Sequence, residues 1–304
     1  MLEALVSANP TLAALLPGPL HYRNGAYRSE SVFVTPLSFA EFEIIVIPIG
    51  LFFAVHRKAL FEKALGWAVV LGGFIGIFTS GSRGGWLGVL VSLPVFVAIW
   101  SISRARNTKG SLAPAIGGLM GLIGFLCVVG LIFGSHSTHD MVMGGAEQDN
   151  STQARFDQWS AGIPHIISNP ITGHGYAMGG GVFGDATIDS YALSLVIETG
   201  IPGLLFFTGM CLLPIWYGLR NYVSEMSESA AMGGALACSF LAFTADRLVL
   251  SQKENHTLFY SLLAIVIVLN YDRVWKQVPQ QPKDKTLHAG SSQNHQPQRK
   301  HSMA

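Results

Sequence analysis

A polar segment at residues 149–203 holds most of the groups in this chain that could take part in a reaction. Asp189 opens the run Asp-Ser-Tyr, and His174 lies between two glycines in a turn that presents its imidazole. A carboxylate or an imidazole can take a proton from an attacking hydroxyl group. Asp189 and His174 are therefore the candidate catalytic residues. A lone histidine is more often structural, and an aspartate in front of a helix often serves as its N-cap.

Several arginines suit an anionic substrate near this segment. A guanidinium group binds phosphate oxygens in a bidentate manner, so paired arginines match a diphosphate. Arg83 lies in a glycine-rich run, where a ligand can approach closely and backbone amides can cradle an anion. The alternative for Arg83 is a tight turn between helices with one snorkelling arginine. The predicted diphosphate-binding residues are Arg83, Arg155 and Arg28, and Arg247 is a further arginine on the same side.

The neighbouring residues are predicted to support these groups, and no other kind of site is indicated. The supporting set is Ser82, Gly84, Gly85, Trp159, Gly173, Gly175, Tyr191 and Glu198. The sequence shows no zinc-ligand spacing, no nucleotide-binding loop and no nucleophile elbow, so we expect neither a metal nor a cofactor. A net charge of +1 without a basic stripe gives no case for nucleic-acid binding.

The composition predicts that these groups are positioned by membrane helices. Only 12% of the residues are charged and 50% are hydrophobic, whereas a soluble protein carries about 25% charged residues. A spanning helix needs about 20 apolar residues. We therefore expect an all-α, polytopic bundle of about seven spans. The spans are predicted at residues 37–55, 65–79, 86–103, 112–133, 201–219, 230–248 and 257–271.

Basic residues predict the orientation of the bundle. Alternate loops and the C-terminal tail carry 13 of the 19 Lys and Arg residues, and this set is expected in the cytoplasm. The predicted map is an extracytoplasmic segment 1–36, spans one to four in 37–134, an extracytoplasmic functional loop 135–200, spans five to seven in 201–271 and a disordered cytoplasmic tail 272–304. Because no span precedes segment 1–36, we expect the N-terminus to be truncated.

Short helices are predicted inside the functional loop. Asn150 or Ser151 could cap an amphipathic helix that runs to about residue 167, with a possible kink at Pro164. Asn169 and Pro170 would end it. A new helix follows, with Asp189 or Ser190 as its N-cap.

Four motifs, in their order and on their side of the membrane, resemble the O-antigen ligase and polymerase superfamily. They are SRGGWLG at the third span, then R-x-x-x-W, N-P-x-x-G-x-G and D-S-Y-x-L-x-x-x-x-E-x-G-x-x-G in the loop. The stretch RNGAYRSESVFVTPLSFAE is also similar to a family segment that precedes an earlier span. Members are bacterial inner-membrane glycosyltransferases of the GT-C type.

The resemblance implies metal-independent transfer of a glycan from an undecaprenyl-diphosphate carrier on the periplasmic face, with membrane lipids around the site and a glycan or lipid as acceptor. Arg83 and Arg155 match the arginines that hold the diphosphate, and His174 falls in the G-x-G turn. In the ligases the last motif begins with a catalytic histidine. Asp189 occupies that position here, which favours a polymerase of O-antigen or exopolysaccharide repeats over a ligase that attaches glycan to lipid A core.

Two other classes of protein are kept as alternatives. A transporter or channel would use charges inside the membrane as a pathway, and the acidic candidates near spans are Glu41, Glu43 and Asp246. No inverted repeat supports that interpretation. The other alternative is a non-catalytic component of polysaccharide export, or an inactive fragment.

Overall fold

The long apolar runs of the sequence form helices in the computed structural model. It describes residues 21–23, 26–107, 113–134, 146–178, 181, 188–225, 227–248 and 255–277. A hairpin of β1 (Tyr22–Arg23) and β2 (Ala26–Tyr27) precedes the helices. The helices are α1 (Pro36–His56), α2 (Leu60–Ser80), α3 (Arg83–Asn107), α4 (Ala113–Gly134), α5 (Ala146–Ser168), α6 (Tyr191–Ser224), α7 (Glu228–Arg247) and α8 (His256–Gln277).

Five of these helices, α1, α2, α3, α6 and α7, are long and apolar enough to cross a membrane. The fourth and seventh predicted spans coincide with α4 and α8, whose described apolar stretches, Ile116–Cys127 and His256–Leu269, are shorter. An all-helical bundle with several spans is therefore confirmed. The count of seven spans and the likeness to the GT-C fold stay predictions.

Helices α1 and α7 form the centre of the bundle, since 67% of the most apolar stretch of each helix is buried, compared with 28% for α2. Small residues allow the close contacts between helices. A Cβ atom at Gly66 of α2 would lie 2.5 Å from the backbone nitrogen of Ala54 in α1. A Cβ atom at Gly218 of α6 would overlap the carbonyl oxygen of Gly233 in α7.

The helix ends correct several sequence predictions. Helix α5 begins at Ala146, so neither Asn150 nor Ser151 is its cap, and it continues through Pro164 to Ser168. Ser190, and not Asp189, caps α6, because its hydroxyl oxygen accepts a hydrogen bond from the amide of Leu193.

Other boundaries move as well. Helix α6 begins at Tyr191, ten residues before the predicted fifth span, and so has the Asp-Ser-Tyr motif at its N-terminal end. Helix α8 reaches Gln277, so the predicted tail 272–304 starts within a helix. Residues 1–20, the rest of that tail and most of the glycine-rich run 179–184 lie outside the described residues.

Candidate functional site

Arg28 and Arg83 meet at the turn between α2 and α3. Arg28 follows the β-hairpin, and its Nε donates a hydrogen bond of 2.6 Å to the carbonyl oxygen of Ser80, the last residue of α2. The amide of Ser29 donates to the carbonyl oxygen of Thr79 at 3.0 Å. Arg83 is half-buried as the first residue of α3. Two of the predicted diphosphate-binding arginines are thus placed at one corner by backbone and side-chain contacts.

The other residues of the SRGG run build this corner. Gly81 ends α2 in a left-handed conformation, with φ of 60°, which favours glycine. The hydroxyl oxygen of Ser82 accepts a hydrogen bond of 3.3 Å from the amide of Gly85, so Ser82 caps the first turn of α3. A Cβ atom at Gly85 would lie 3.2 Å from the Cβ atom of Ala40. The corner therefore packs on the N-terminal part of α1, next to Glu41.

Glu41 and Arg247 form a buried ion pair at this end of the bundle. Their exposed fractions are 0% and 2%. The Nε and Nη2 atoms of Arg247 lie 2.6 and 3.0 Å from the two carboxylate oxygens of Glu41, which is a bidentate arrangement. Asn255 donates from its Nδ2 to Glu41 Oε2 and to the carbonyl oxygen of Ser38, both at 2.8 Å. The pair joins α1, α7 and the start of α8.

Arg247 is also stacked between two aromatic rings. Its guanidinium carbon lies 5.1 Å from the ring centre of Tyr191 and 4.7 Å from that of Phe243, both within cation–π range. The hydroxyl of Ser190 donates to the carbonyl oxygen of Leu248 at 3.3 Å. These contacts dock the N-terminal end of α6 on the C-terminal end of α7. Tyr191 thus lies against the buried Arg247, and its supporting role in a functional site stays a prediction.

Asp246 brings a second buried carboxylate to the same place. It is 0% exposed, and neither of its carboxylate oxygens has a hydrogen-bond partner among the residues that the structure describes. The charges that act on it come from Glu41, Arg247 and Arg155. Arg155, the third predicted diphosphate-binding arginine, is half-buried on α5 and lies close enough to Asp246 to act on its charge.

Asp189 is held at the edge of the cluster by its backbone. Its amide donates a hydrogen bond of 3.0 Å to Oε1 of Gln158, which lies one turn beyond Arg155 on α5. Its side chain is half-buried, and within the described part of the chain no residue hydrogen-bonds to its carboxylate. Because the hydroxyl of Ser190 caps α6, the carboxylate of Asp189 has no structural role among the described residues.

The N-P-x-x-G-x-G loop supplies hydrogen-bond partners to backbone groups at a break in α6. Gly200 has φ of 73°, so the helix is interrupted there. The carbonyl oxygens of Ile197 and Glu198, which lose their normal partners, accept hydrogen bonds from the amides of His174 and Gly175 at 2.8 and 3.0 Å. The amide of Ile201 donates to the carbonyl oxygen of Pro170 at 2.8 Å. We call these three hydrogen bonds the loop clamp.

The ring of His174 contacts residues beside the loop clamp, and not the charged residues Glu41, Asp246 and Arg247. Its Nε2 lies 3.1 Å from the carbonyl oxygen of His165, and its Nδ1 lies 3.4 Å from Nδ2 of Asn169. A ring with Nε2–H as donor and Nδ1 as acceptor satisfies both contacts. Glu198 likewise accepts from the hydroxyl of Ser194 at 3.3 Å. These contacts give His174 a positioning role in the loop, and its catalytic role stays a prediction. The supporting roles of Glu198 and of Trp159, which is exposed on α5, also stay predictions.

Replacing Gly173 with alanine is expected to open the loop clamp. Gly173 has φ of 63°, and a Cβ atom there would lie 2.5 Å from the backbone of Glu198. The left-handed conformation alone costs a non-glycine residue about 1–2 kcal/mol. Hydrogen exchange should become faster at the amides of residues 174, 175 and 201. Gly209→Ala on α6 is the control, because a Cβ atom there has open space. Equal exchange in the two variants would contradict the role of Gly173.

Sequence reasoning missed the buried cluster. It treated Glu41 and Asp246 only as transport-pathway candidates and Arg247 only as an outward arginine. The structure pairs Glu41 with Arg247 across 206 positions of sequence. The available signal was an acidic residue near the outer end of the first span and an arginine near the outer end of the sixth. Among the described residues, no group of three His, Cys, Asp or Glu side chains could hold a metal ion.

Residues 67–208 match the family model described as O-antigen ligase. The matched region includes Arg83, Arg155, the loop clamp and Asp189, whereas Arg28, Glu41 and Arg247 lie outside it. No curated protein matches the chain. Together with the five apolar helices, the match makes the chain a multi-pass membrane protein.

Proposed function

Since residues 67–208 belong to the O-antigen ligase and polymerase superfamily, we propose that this protein transfers a glycan linked to undecaprenyl diphosphate. The acceptor is a hydroxyl group on a second carrier-linked glycan, which makes the protein a polymerase of O-antigen or exopolysaccharide repeats. The reaction takes place at the extracytoplasmic end of the bundle, in the bacterial inner membrane.

The observation that carries this proposal is the gathering of arginines at one end of the bundle. Arg28 and Arg83 lie at the corner between α2 and α3, and Arg155 and Arg247 act on Asp246. Arg247 is committed to Glu41 by two short contacts. The remaining three are the arginines that the sequence motifs predict as ligands of the diphosphate.

Asp189 is the proposed general base. Its carboxylate takes the proton of the acceptor hydroxyl, whose oxygen forms the new bond to the anomeric carbon of the donor glycan. The bond from that carbon to the carrier diphosphate breaks, and the diphosphate leaves with the electron pair. The guanidinium groups of Arg83 and Arg155 stabilise the negative charge of the leaving group.

Asp189→Asn is expected to lower polymerisation by about 100-fold or more at normal expression, since a positioned general base contributes about 10²–10⁴-fold. The amide keeps the shape of the side chain, and the backbone contact to Gln158 does not depend on it. Chain-length ladders from a complemented deletion strain provide the measurement. Asp157→Asn, an exposed change on α5, is the matched control. Full activity of Asp189→Asn would remove Asp189 from the mechanism.

The identity of residue 189 favours the polymerase over the ligase, because the ligases carry a histidine at the matching position and this chain carries Asp189. The glycans of a deletion strain distinguish the two activities. Short caps with a single repeat unit are expected if a polymerase is lost. Free lipid-linked polymer would instead show that the protein is a ligase acting on lipid A core.

A further inference from the structure

A cavity of about 410 Å³ opens at the end of the bundle opposite to Arg28, Arg83, Arg155 and Arg247. It lies where α1, α3 and α6 end and where α2 and α7 begin, on the side that the basic residues predict to be cytoplasmic. Four basic residues line it: Arg57, Lys58, Lys63 and Arg104. The proposed transfer reaction has no use for these groups.

The acidic residues at this end leave the lining with an excess of positive charge. Arg57 pairs with Glu228 and lies 3.9 Å from Glu62, so two carboxylates are directed to one guanidinium group. Glu225 is the one acidic residue in the described lining. Glu225, Glu62 and Glu228 together bring three negative charges against the four positive charges of the lining, so one positive charge remains in excess.

The surface beside the cavity is apolar and faces outward. In the first turn of α2, Leu60 and Phe61 are 83% and 78% exposed, and Lys63 follows within one turn. Helix α2 is long and apolar enough to span a membrane, so this exposed apolar face is suited to contact with lipid. Trp100 also lines the cavity, and aromatic residues are enriched where helices leave the hydrocarbon.

We propose that this cavity binds the phosphate headgroup of an anionic phospholipid from the cytoplasmic leaflet, with the acyl chains lying along the outer face of α2. The shared chemistry is that of a phosphate anion, which inorganic phosphate could also supply. The exposed Leu60 and Phe61 favour the lipid. Basic cavities between helices on the cytoplasmic side suit such headgroups.

The full chain, purified in a neutral detergent, provides the test. Phosphatidylglycerol, phosphatidylcholine and inorganic phosphate are titrated separately, and both the melting temperature and lipid retention in native mass spectrometry are measured. We expect stabilisation by phosphatidylglycerol only. Lys58→Gln and Lys63→Gln should each raise the dissociation constant for phosphatidylglycerol about fivefold, which corresponds to about 1 kcal/mol per basic residue. Arg220→Gln, an exposed change on α6 outside the cavity lining, should leave it unchanged.

Three results would overturn the proposal. If phosphatidylcholine stabilises the protein as much as phosphatidylglycerol does, the cavity does not require a lipid with a net negative charge. If inorganic phosphate stabilises it equally, the cavity binds free anions and not a lipid headgroup. If Lys58→Gln and Lys63→Gln lower the melting temperature without lipid yet respond to phosphatidylglycerol as the wild type does, the lysines only neutralise the carbonyl ends of the helices. Size-exclusion chromatography shows whether each variant is as monodisperse as the wild type, so that only folded variants are compared.

Discussion

Replacing Arg83 with alanine is expected to abolish long polysaccharide in a complementation assay, while the protein still inserts into the membrane. The leaving diphosphate carries negative charge that a guanidinium group can bind with two parallel hydrogen bonds. Removing one preorganised donor from such a site typically costs about 10²–10³-fold in rate. Arg83 begins α3 at the corner that Arg28 also reaches, so its loss affects the centre of the proposed site.

Two companion variants make the experiment specific. Arg83→Lys keeps the charge but loses the bidentate geometry, so partial activity is expected. Arg106→Ala removes an exposed arginine near the opposite end of the same helix and should leave the ladders unchanged. Arg155→Ala is expected to behave as Arg83→Ala does. Ladders of normal length from both Arg83→Ala and Arg155→Ala would rule out their role at the diphosphate.

Breaking the Glu41–Arg247 pair is expected to destabilise the bundle by about 3–5 kcal/mol, because removal of one partner leaves an uncompensated buried charge. Both side chains are buried, and Arg247 is also stacked on Tyr191 and Phe243. Arg247→Met and Glu41→Leu should each lower the unfolding free energy, measured by denaturant titration in mixed micelles. The double variant should recover part of the loss, since neither Glu41 nor Arg247 is then left without its partner, although Asp246 remains buried beside them.

The double-mutant cycle measures the coupling between the two residues directly. Arg57→Gln is the matched control, because the pair of Arg57 with Glu228 is partly exposed and such pairs contribute about 0–1 kcal/mol. If the losses of Arg247→Met and Glu41→Leu add in the double variant, the pair has no coupling energy and other contacts hold the bundle together.

The sequence predicts the helices well because a membrane span requires a long apolar run. The sixth span, predicted at residues 230–248, is helix α7 at Glu228–Arg247. The order of the motifs also placed Arg83, Arg155 and Asp189 on one side, and the structure brings Arg155 and Asp189 together through one face of α5.

Contacts between distant residues could not be predicted in the same way. Periodicity says which residues lie inside the membrane, but nothing in it pairs Glu41 with Arg247 rather than with another arginine. The loop clamp was missed for a similar reason: Gly173 and Gly200 look like ordinary turn glycines until the helix break and the loop are seen to exchange hydrogen bonds. The helix cap was left open between Asp189 and Ser190, because both side chains can accept the same hydrogen bond.

The pairing of Glu41 with Arg247 also sets an order of events during synthesis. The two residues are 206 positions apart, and a ribosome adding about 5–20 residues per second needs about 10–40 s to cover that distance. Throughout this interval the first span is in the bilayer with a carboxylate that has no arginine partner. Glu41 lies within two turns of the outer end of α1, so water at the membrane surface can hydrate it until α7 arrives. Insertion of α7 then completes the centre of the bundle.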